Sequence, residues 1–453
     1  MLFSSIVFLF WFLPIVLGVY YVLLRKTNSR NAFLFFSSLF FYAWGEPKFV
    51  LVMLLSIFAN WQFGLAIDRV KVSPRRRLLL TLAVSFNLLI IFIFKYLTFF
   101  AGIFFQLSGV ALPIPEITLP IGISFFTFQA ISYIVDVYRG KGVVQKSWLH
   151  VGLYIAFFPQ LIAGPIVRYQ TIADQINHRV EHLDDFSEGV TRFIAGLGKK
   201  VLIANQMALV ADAAFSSAAP GASFAWLGAL AYTFQIYYDF SGYSDMAIGL
   251  GKMFGFHFDE NFNDPYRSNS VSEFWRRWHI SLGSWFRDYV YIPLGGSRSK
   301  LYRNLFVVWA LTGLWHGASW NFVIWGLYYF VLIAFEKALG HALDRIPDFI
   351  RVGVTFLAVL LGWVLFRAPT LTAAAHYFGQ MFSFSNGDTL SFMRYFTEKK
   401  LFFMVAVLLS IPSVRKYRTR FAPLYVAELL LIFALAVSFL LKNTYNPFIY
   451  FNF

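Results

Sequence analysis

The sequence predicts an all-α, polytopic membrane protein of about 10–11 spans, supplemented by re-entrant and interfacial helices. Three observations carry that expectation. Apolar runs of about twenty residues recur from end to end, and about twenty helical residues cross a hydrocarbon core about 30 Å thick. Charged residues make up 13% of the chain, roughly half the share of about 25% typical of soluble domains. No polar stretch is long enough to fold as a soluble domain, so residues 1–453 read as a single multi-spanning membrane domain.

Composition also excludes chemistry. The chain has no cysteine, which removes disulfides, thiol nucleophiles and thiolate metal sites. The net charge of +15 fits Lys and Arg in cytoplasmic loops beside anionic lipid headgroups. The basic residues are scattered over loops and form no stripe, so no nucleic-acid partner is expected.

Taken in order, residues 3–24 form a first span. They lack the charged start and small-residue cleavage site of a signal peptide. Arg25, Lys26 and Arg30 follow. Residues 32–44 end in the turn Gly45-Glu46-Pro47, and a third span reaches residue 67. Lys71, Arg75, Arg76 and Arg77 place the next loop in the cytoplasm, which puts the N-terminus outside. A fourth span covers 78–105, and the turn-rich segment 106–116 lies outside. Residues 119–137 hold Pro120, Gly122, Ser124, Thr127, Gln129 and Ser132; small and polar residues suit a helix packed against protein. Residues 149–169 are interrupted by Pro159, Gln160, Gly164 and Pro165. Such backbone is tolerated at membrane depth only when buried in protein or lining a cavity, so a re-entrant segment or cavity wall is expected, with a kinked helix as the alternative.

Residues 171–188 are polar. His178 and His182 stand at i, i+4, but no third ligand motif accompanies them, and the stretch reads as an interfacial helix with no metal site. Further spans cover 190–214 and 222–255. The second carries Asp239 and Asp245, each costing about 2.5–3.5 kcal/mol in an apolar span. They bond to a neighbouring helix or line a cavity; both readings stand. Later spans are 305–335, 352–366, 401–411 and 421–441. Residues 383–398 read as a polar loop with a turn at Asn386-Gly387-Asp388. Arg415, Lys416, Arg418 and Arg420 mark another cytoplasmic loop.

The chain is organised around residues 261–321. Residues 273–290, at about 100° per residue, place Glu273, Arg276, Arg277, Ser284, Arg287 and Asp288 on one face. Phe274, Trp275, Trp278, Leu282, Trp285 and Phe286 fall on the other. That is a helix lying in the interface, basic side toward water, with Ser272 as its cap and Glu273–Arg277 and Ser284–Asp288 as pairs one turn apart. His279 falls on the apolar side. The run 305–335 contains His316, which at about 1.5 Å per residue falls near mid-bilayer. An ionisable residue there is a functional candidate. Gly313, Gly317, Ala318 and Ser319 leave space beside it, and Trp315 and Trp320 wall that space. A neutral histidine can take a proton from a hydroxyl and activate it.

EFWRRWHISLGSWFRDYVYIPLGGSR, followed 37 residues after its histidine by the histidine of LTGLWHGASWN, resembles the membrane-bound O-acyltransferase family, and within it the bacterial branch of the alginate O-acetyltransferase membrane subunit. FYAWGEP, LPIGISFFTFQAISYIVDVYRG, FPQLIAGPIVRY and YYDFSGYSDMAIG extend the resemblance over essentially the whole chain. It implies a multi-helical fold with a central tunnel where acyl donor and acceptor meet. It implies His316 as the catalytic histidine and His279 as its companion. Asn261, Tyr266, Glu273, Trp275, Arg276, Trp278, Arg287, Asp288 and Trp315 match the surrounding motif as structural or tunnel-lining residues, with Asp239 added from its own span.

The resemblance further implies acetyl-CoA as donor substrate, no bound cofactor, a bacterial inner-membrane location and a separate extracytoplasmic acetyltransferase that modifies an exported polysaccharide such as alginate. Relatives in the branch act on cellulose, peptidoglycan or, with D-alanine, teichoic acid. His316 as general base and His316 as transient acyl carrier both stay open. The competing reading is a proton-coupled transporter or flippase with His316 and Asp239 as relay. The absence of internal repeats weighs against it.

Overall fold

The computed structural model describes residues 1–115, 117–383, 387–411, 422–442 and 445–449. The described residues form helices and connecting loops, without a strand. Six helices are long and apolar enough to cross a membrane: Val50–Arg69, Ser73–Ser108, Leu183–Ser216, Trp320–Leu339, Asp348–Arg367 and Pro423–Lys442. The other described helices are shorter or less apolar. The fold is all-α and multi-pass.

The chain forms two compact units: Met1–Phe193 with Met246–Asp259, and Ile194–Asp245 with Glu260–Phe453. The first unit begins with α1 (Phe8–Leu23), α2 (Thr27–Ala43), α3 (Val50–Arg69), α4 (Ser73–Ser108), α5 (Ile123–Arg139) and α6 (Trp148–Ala156). Helix α5 packs on α3 and α4, and nearly all of it is buried, as its small and polar residues predict. After α6 the chain breaks at Phe157, makes one short turn at Phe158–Leu161 and continues without regular structure to Arg168. Residues 151–167 are buried throughout, the condition under which irregular backbone survives in such a protein. The stretch 171–188, expected as one interfacial helix, is instead two short turns, Tyr169–Ile172 and Gln175–His178, followed by irregular backbone and the start of a long helix at Leu183; His178 pairs with Asp174 at 2.7 Å on the surface.

The unit boundary falls within α7 (Leu183–Ser216) and α8 (Gly221–Met253). The second unit adds α9 (Val271–Arg277), α10 (Ile280–Phe286), α11 (Leu301–His316), α12 (Trp320–Leu339), α13 (Asp348–Arg367), α14 (Leu371–Met381), α15 (Thr389–Leu409) and α16 (Ala422–Lys442). Its core is aromatic: Tyr237, Phe240, Phe274, Trp278, Trp309, Trp325, Tyr329, Trp363 and Phe366 belong to one buried cluster.

Three further sequence expectations change here. The polar stretch 383–398 is not mainly a loop. Asp388 caps α15 by accepting the Ser391 N–H at 2.9 Å, so helix starts at Thr389, and Arg394 and Glu398 pair along its surface. Asn386 of the expected turn and the basic residues Arg415, Lys416, Arg418 and Arg420 lie outside the described residues. The other two corrections concern the histidine helices, and they build the site.

Candidate active site

The interfacial helix expected over 273–290 is broken. Its cap is Ser270, whose hydroxyl accepts the Glu273 N–H at 3.0 Å. Ser272 instead donates to Glu336 of α12 at 2.7 Å, and the Glu336 carboxylate also accepts the N–H groups of Val271 and Ser272. One carboxylate thus satisfies orphan donors of the first turn of α9. Glu273 and Arg277 pair as expected, at 2.7 Å. Asp288 takes its neighbour Arg287 at 2.8 Å.

The break is at His279, which has φ 45° and ψ 53°. A non-glycine residue there carries strain of order 1–3 kcal/mol and persists only where its surroundings hold it. Asn261 does the holding. Its carbonyl accepts the Ile280 N–H at 3.0 Å, and its side-chain Oδ1 accepts the Ser281 N–H at 3.1 Å and the Ser281 hydroxyl at 2.8 Å. The same Oδ1 lies 3.1 Å from His279 Nδ1. A backbone amide can only donate, so this amide oxygen is an acceptor, and Nδ1 must carry the proton. Nε2 is then the lone-pair nitrogen. It is buried and has no hydrogen-bond partner among the described residues. Burial pushes the His279 pKa down to about 3, so the ring is neutral and its free nitrogen is a proton acceptor.

The run 305–335 is not one helix through the membrane. It is a hairpin: α11 ends at His316, residues 317–319 turn, and α12 starts at Trp320. The limbs run antiparallel, with Trp309 beside Tyr329 at 5.5 Å and Phe306 beside Phe330 at 5.5 Å between ring centroids. Glycine permits this approach. A Cβ on Gly313 would stand 2.4 Å from the Phe322 carbonyl oxygen, and one on Gly326 would stand 2.4 Å from that of Trp309. A Cβ on Gly317 would fall 2.2 Å from the Phe322 ring. The small residues around His316 therefore serve backbone contact and ring packing, where the sequence suggested open space for substrate. Trp320 is half-exposed.

His316 occupies the tip of this hairpin, buried among rings: Trp315 at 5.0 Å, Trp325 at 5.0 Å and Phe366 at 5.1 Å. The tip is tied down by Asn321, which donates to the Ala368 carbonyl at 2.8 Å. Trp315 also meets the His279 ring at 5.9 Å, and Phe240 meets His279 edge-on at 4.6 Å. One tryptophan therefore stands between the two histidines.

Of the other expected site residues, Asn261 and Trp315 belong to this centre. Tyr266, Trp275 and Trp278 build its aromatic surround. Tyr266 donates to the Thr233 carbonyl at 2.6 Å, and Trp278 packs on Trp363 at 4.8 Å. Arg276 and Arg287 are exposed and face away from it. Asp239 is committed elsewhere: Lys200 pairs with it at 2.6 Å, and it accepts the Ile449 N–H at 3.1 Å. Sequence reasoning did not single out Ser281, Trp325, Phe366 or Glu336. The nearness of Ser281 to His279, and the place of Trp325 in the same apolar run as His316, could have pointed to two of them; Phe366 and Glu336 meet the site only through the fold. Among the described residues no group of three or more His, Asp and Glu could hold a metal ion.

The structure is thus a multi-pass helical membrane protein with two buried histidines that contact one tryptophan. The chain belongs to the membrane-bound O-acyltransferase family, whose pattern matches residues 36–367, and it is an acyltransferase. It is 48% identical over 398 residues to "Probable alginate O-acetylase AlgI" of Pseudomonas putida, covering 85% of this chain and 81% of that one. It is 36% identical over 413 residues to the peptidoglycan O-acetyltransferase of Helicobacter pylori, covering 83% and 78%. It is 30% identical over 273 residues to the teichoic acid D-alanyltransferase of Bacillus subtilis, covering 54% and 68%.

Proposed function

We propose that this protein takes an acetyl group from acetyl-CoA at the cytoplasmic side of a bacterial inner membrane and passes it outward for O-acetylation of an exported polysaccharide, alginate being the acceptor polymer. A separate extracytoplasmic acetyltransferase completes the modification. The observation that carries the reading is the pair of buried histidines on either side of Trp315. His316 acts as the general base on the accepting hydroxyl, and His279, neutral with a free Nε2, is its companion. The names of the relatives support acetyl and polysaccharide as the two substrate classes, and the basic loops suit a polyanionic donor. Turnover of acetyl-CoA by purified protein tests it. His316→Ala abolishes acetyl transfer and thioester hydrolysis while thermal stability holds. Retained turnover in a folded His316→Ala protein refutes the assignment.

A further inference from the structure

Three buried hydrogen-bond donors in the ring cluster that reaches His316 through Trp325 have no acceptor among the described residues: Trp275 Nε1–H, Trp325 Nε1–H and the Tyr329 hydroxyl. They belong to one group of rings. Centroids lie 5.5 Å apart for Trp275 and Trp325, 4.8 Å for Trp275 and Tyr329, and 5.1 Å for Trp325 and Tyr329. Trp325 and Tyr329 are both 0% exposed, and Trp325 meets the His316 ring at 5.0 Å. The Tyr329 hydroxyl is wedged against Gly362, where a Cβ would stand 2.4 Å from it.

A buried polar group without a partner costs about 1–3 kcal/mol. Native proteins leave few such groups, and each calls for a reason. Three in one cluster beside a candidate catalytic residue share a chemical character. An indole N–H only donates, and a tyrosine hydroxyl can donate. Together they offer hydrogens and await an oxygen. Buried donors aimed at an oxygen that gains charge during reaction stabilise the transition state more than they stabilise the substrate.

We propose that Trp275, Trp325 and Tyr329 form the binding site for the acyl carbonyl oxygen, an oxyanion hole flanking His316; this rests on the acyl-transfer reading above. The accepting hydroxyl oxygen attacks the thioester carbonyl carbon as His316 removes the hydroxyl proton. The C–O bond forms, and the carbonyl π pair moves onto oxygen, where the three donors meet the charge. When the pair returns, the C–S bond breaks, and the thiolate leaves with the proton that His316 held. Hydroxyl and thioester become ester and thiol, with no oxidant or reductant.

The test is Tyr329→Phe, which removes one oxygen and keeps the ring. Since that hydroxyl has no hydrogen-bond partner among the described residues, its loss leaves the thermal midpoint unchanged or raised. It lowers kcat for acetyl-CoA turnover about 100-fold, the scale seen when an oxyanion donor is removed, and changes KM less than threefold. A structural hydroxyl gives the opposite pattern, a lowered midpoint with kcat intact, and that result overturns the proposal. A second readout uses acetyl-CoA labelled with ¹³C at its carbonyl, bound to His316→Ala protein. The infrared carbonyl band lies below that of free acetyl-CoA and moves back when Tyr329→Phe is added; a band that stays in place overturns the proposal. Wild-type protein that leaves acetyl-CoA intact overturns the acetyl-donor reading and the oxyanion hole with it. Wild-type turnover that Tyr329→Phe leaves untouched overturns the hole alone.

Discussion

His279 shows how one residue can be positioned by its neighbours against its own preference. Its left-handed backbone is held by Asn261, and the same amide oxygen selects its tautomer. The inward direction of His279 was legible on the helical wheel. The break was not, because Trp278-His279-Ile280 contains no glycine, proline or asparagine to announce it, and the residue that imposes it lies 18 positions upstream. The buried neutral ring has a pH consequence. Its pKa is about 3 in the folded protein against an ordinary 6.5. Below pH 6.5 the unfolded chain takes up a proton that the folded protein refuses. The stability this neutral form provides is complete above about pH 6.5 and is lost as pH falls toward 3. The slope approaches 1.4 kcal/mol per pH unit. Thermal midpoints of wild type and His279→Asn in detergent between pH 7.5 and 4.5 therefore change relative to one another, the wild type losing ground in acid. Curves that stay parallel would show that His279 is free to protonate where it sits.

At the scale of elements, the hairpin α11–α12 is the feature that the sequence concealed. Hydropathy saw 31 continuous residues because Gly317-Ala318-Ser319 is neither charged nor strongly polar. The reversal was nevertheless written in small residues. Gly313 lies on one limb and Gly326 on the other, and each meets the backbone of its opposite, the use to which small residues are put between membrane helices. Spacing alone did not distinguish room for a substrate from contact between backbones. Substitution does. Gly326→Ala drives a methyl group toward the Trp309 carbonyl oxygen, an unyielding neighbour, and destabilises the protein by about 1–3 kcal/mol. It separates the limbs and reduces acetyl transfer with it. Gly353→Ala on α13 is the control, since nothing lies within 4 Å of its Cβ, and alanine in a helix is worth up to about 1 kcal/mol over glycine. Thermal midpoints and turnover of the two variants should diverge in opposite directions. A Gly326→Ala protein as stable and active as wild type would mean that the limbs are not in backbone contact.

For the molecule as a whole, the repeated apolar runs made the helical membrane fold readable, and the few buried charges show what composition could not convey. Two carboxylates stood out in the span containing Asp239 and Asp245, but their partners lie on another helix, about forty residues upstream, and no local pattern joins them. Lys199 pairs with Asp245 at 2.5 Å and Lys200 with Asp239 at 2.6 Å, so α7 and α8 exchange two ion pairs within the second unit. The inner pair is almost wholly buried. Lys200 Nζ also donates to Asn205 Oδ1 at 2.9 Å and to the Pro447 carbonyl, and Asp239 accepts the Ile449 N–H. Each donor of the ammonium has an acceptor. This pair therefore anchors residues 447–449 against α7 and α8, which is a structural office and leaves Asp239 unsuited to the proton relay of a transporter. Burial makes the anchor asymmetric. Removing one partner leaves an uncompensated charge at a cost of about 3–5 kcal/mol, whereas replacing both by apolar residues of similar size is often neutral or better. Lys200→Met and Asp239→Leu should each lower the thermal midpoint sharply, and the double variant should recover most of the loss. The coupling measured by that cycle is the test. Single effects that merely add would show that the two charges do not depend on one another.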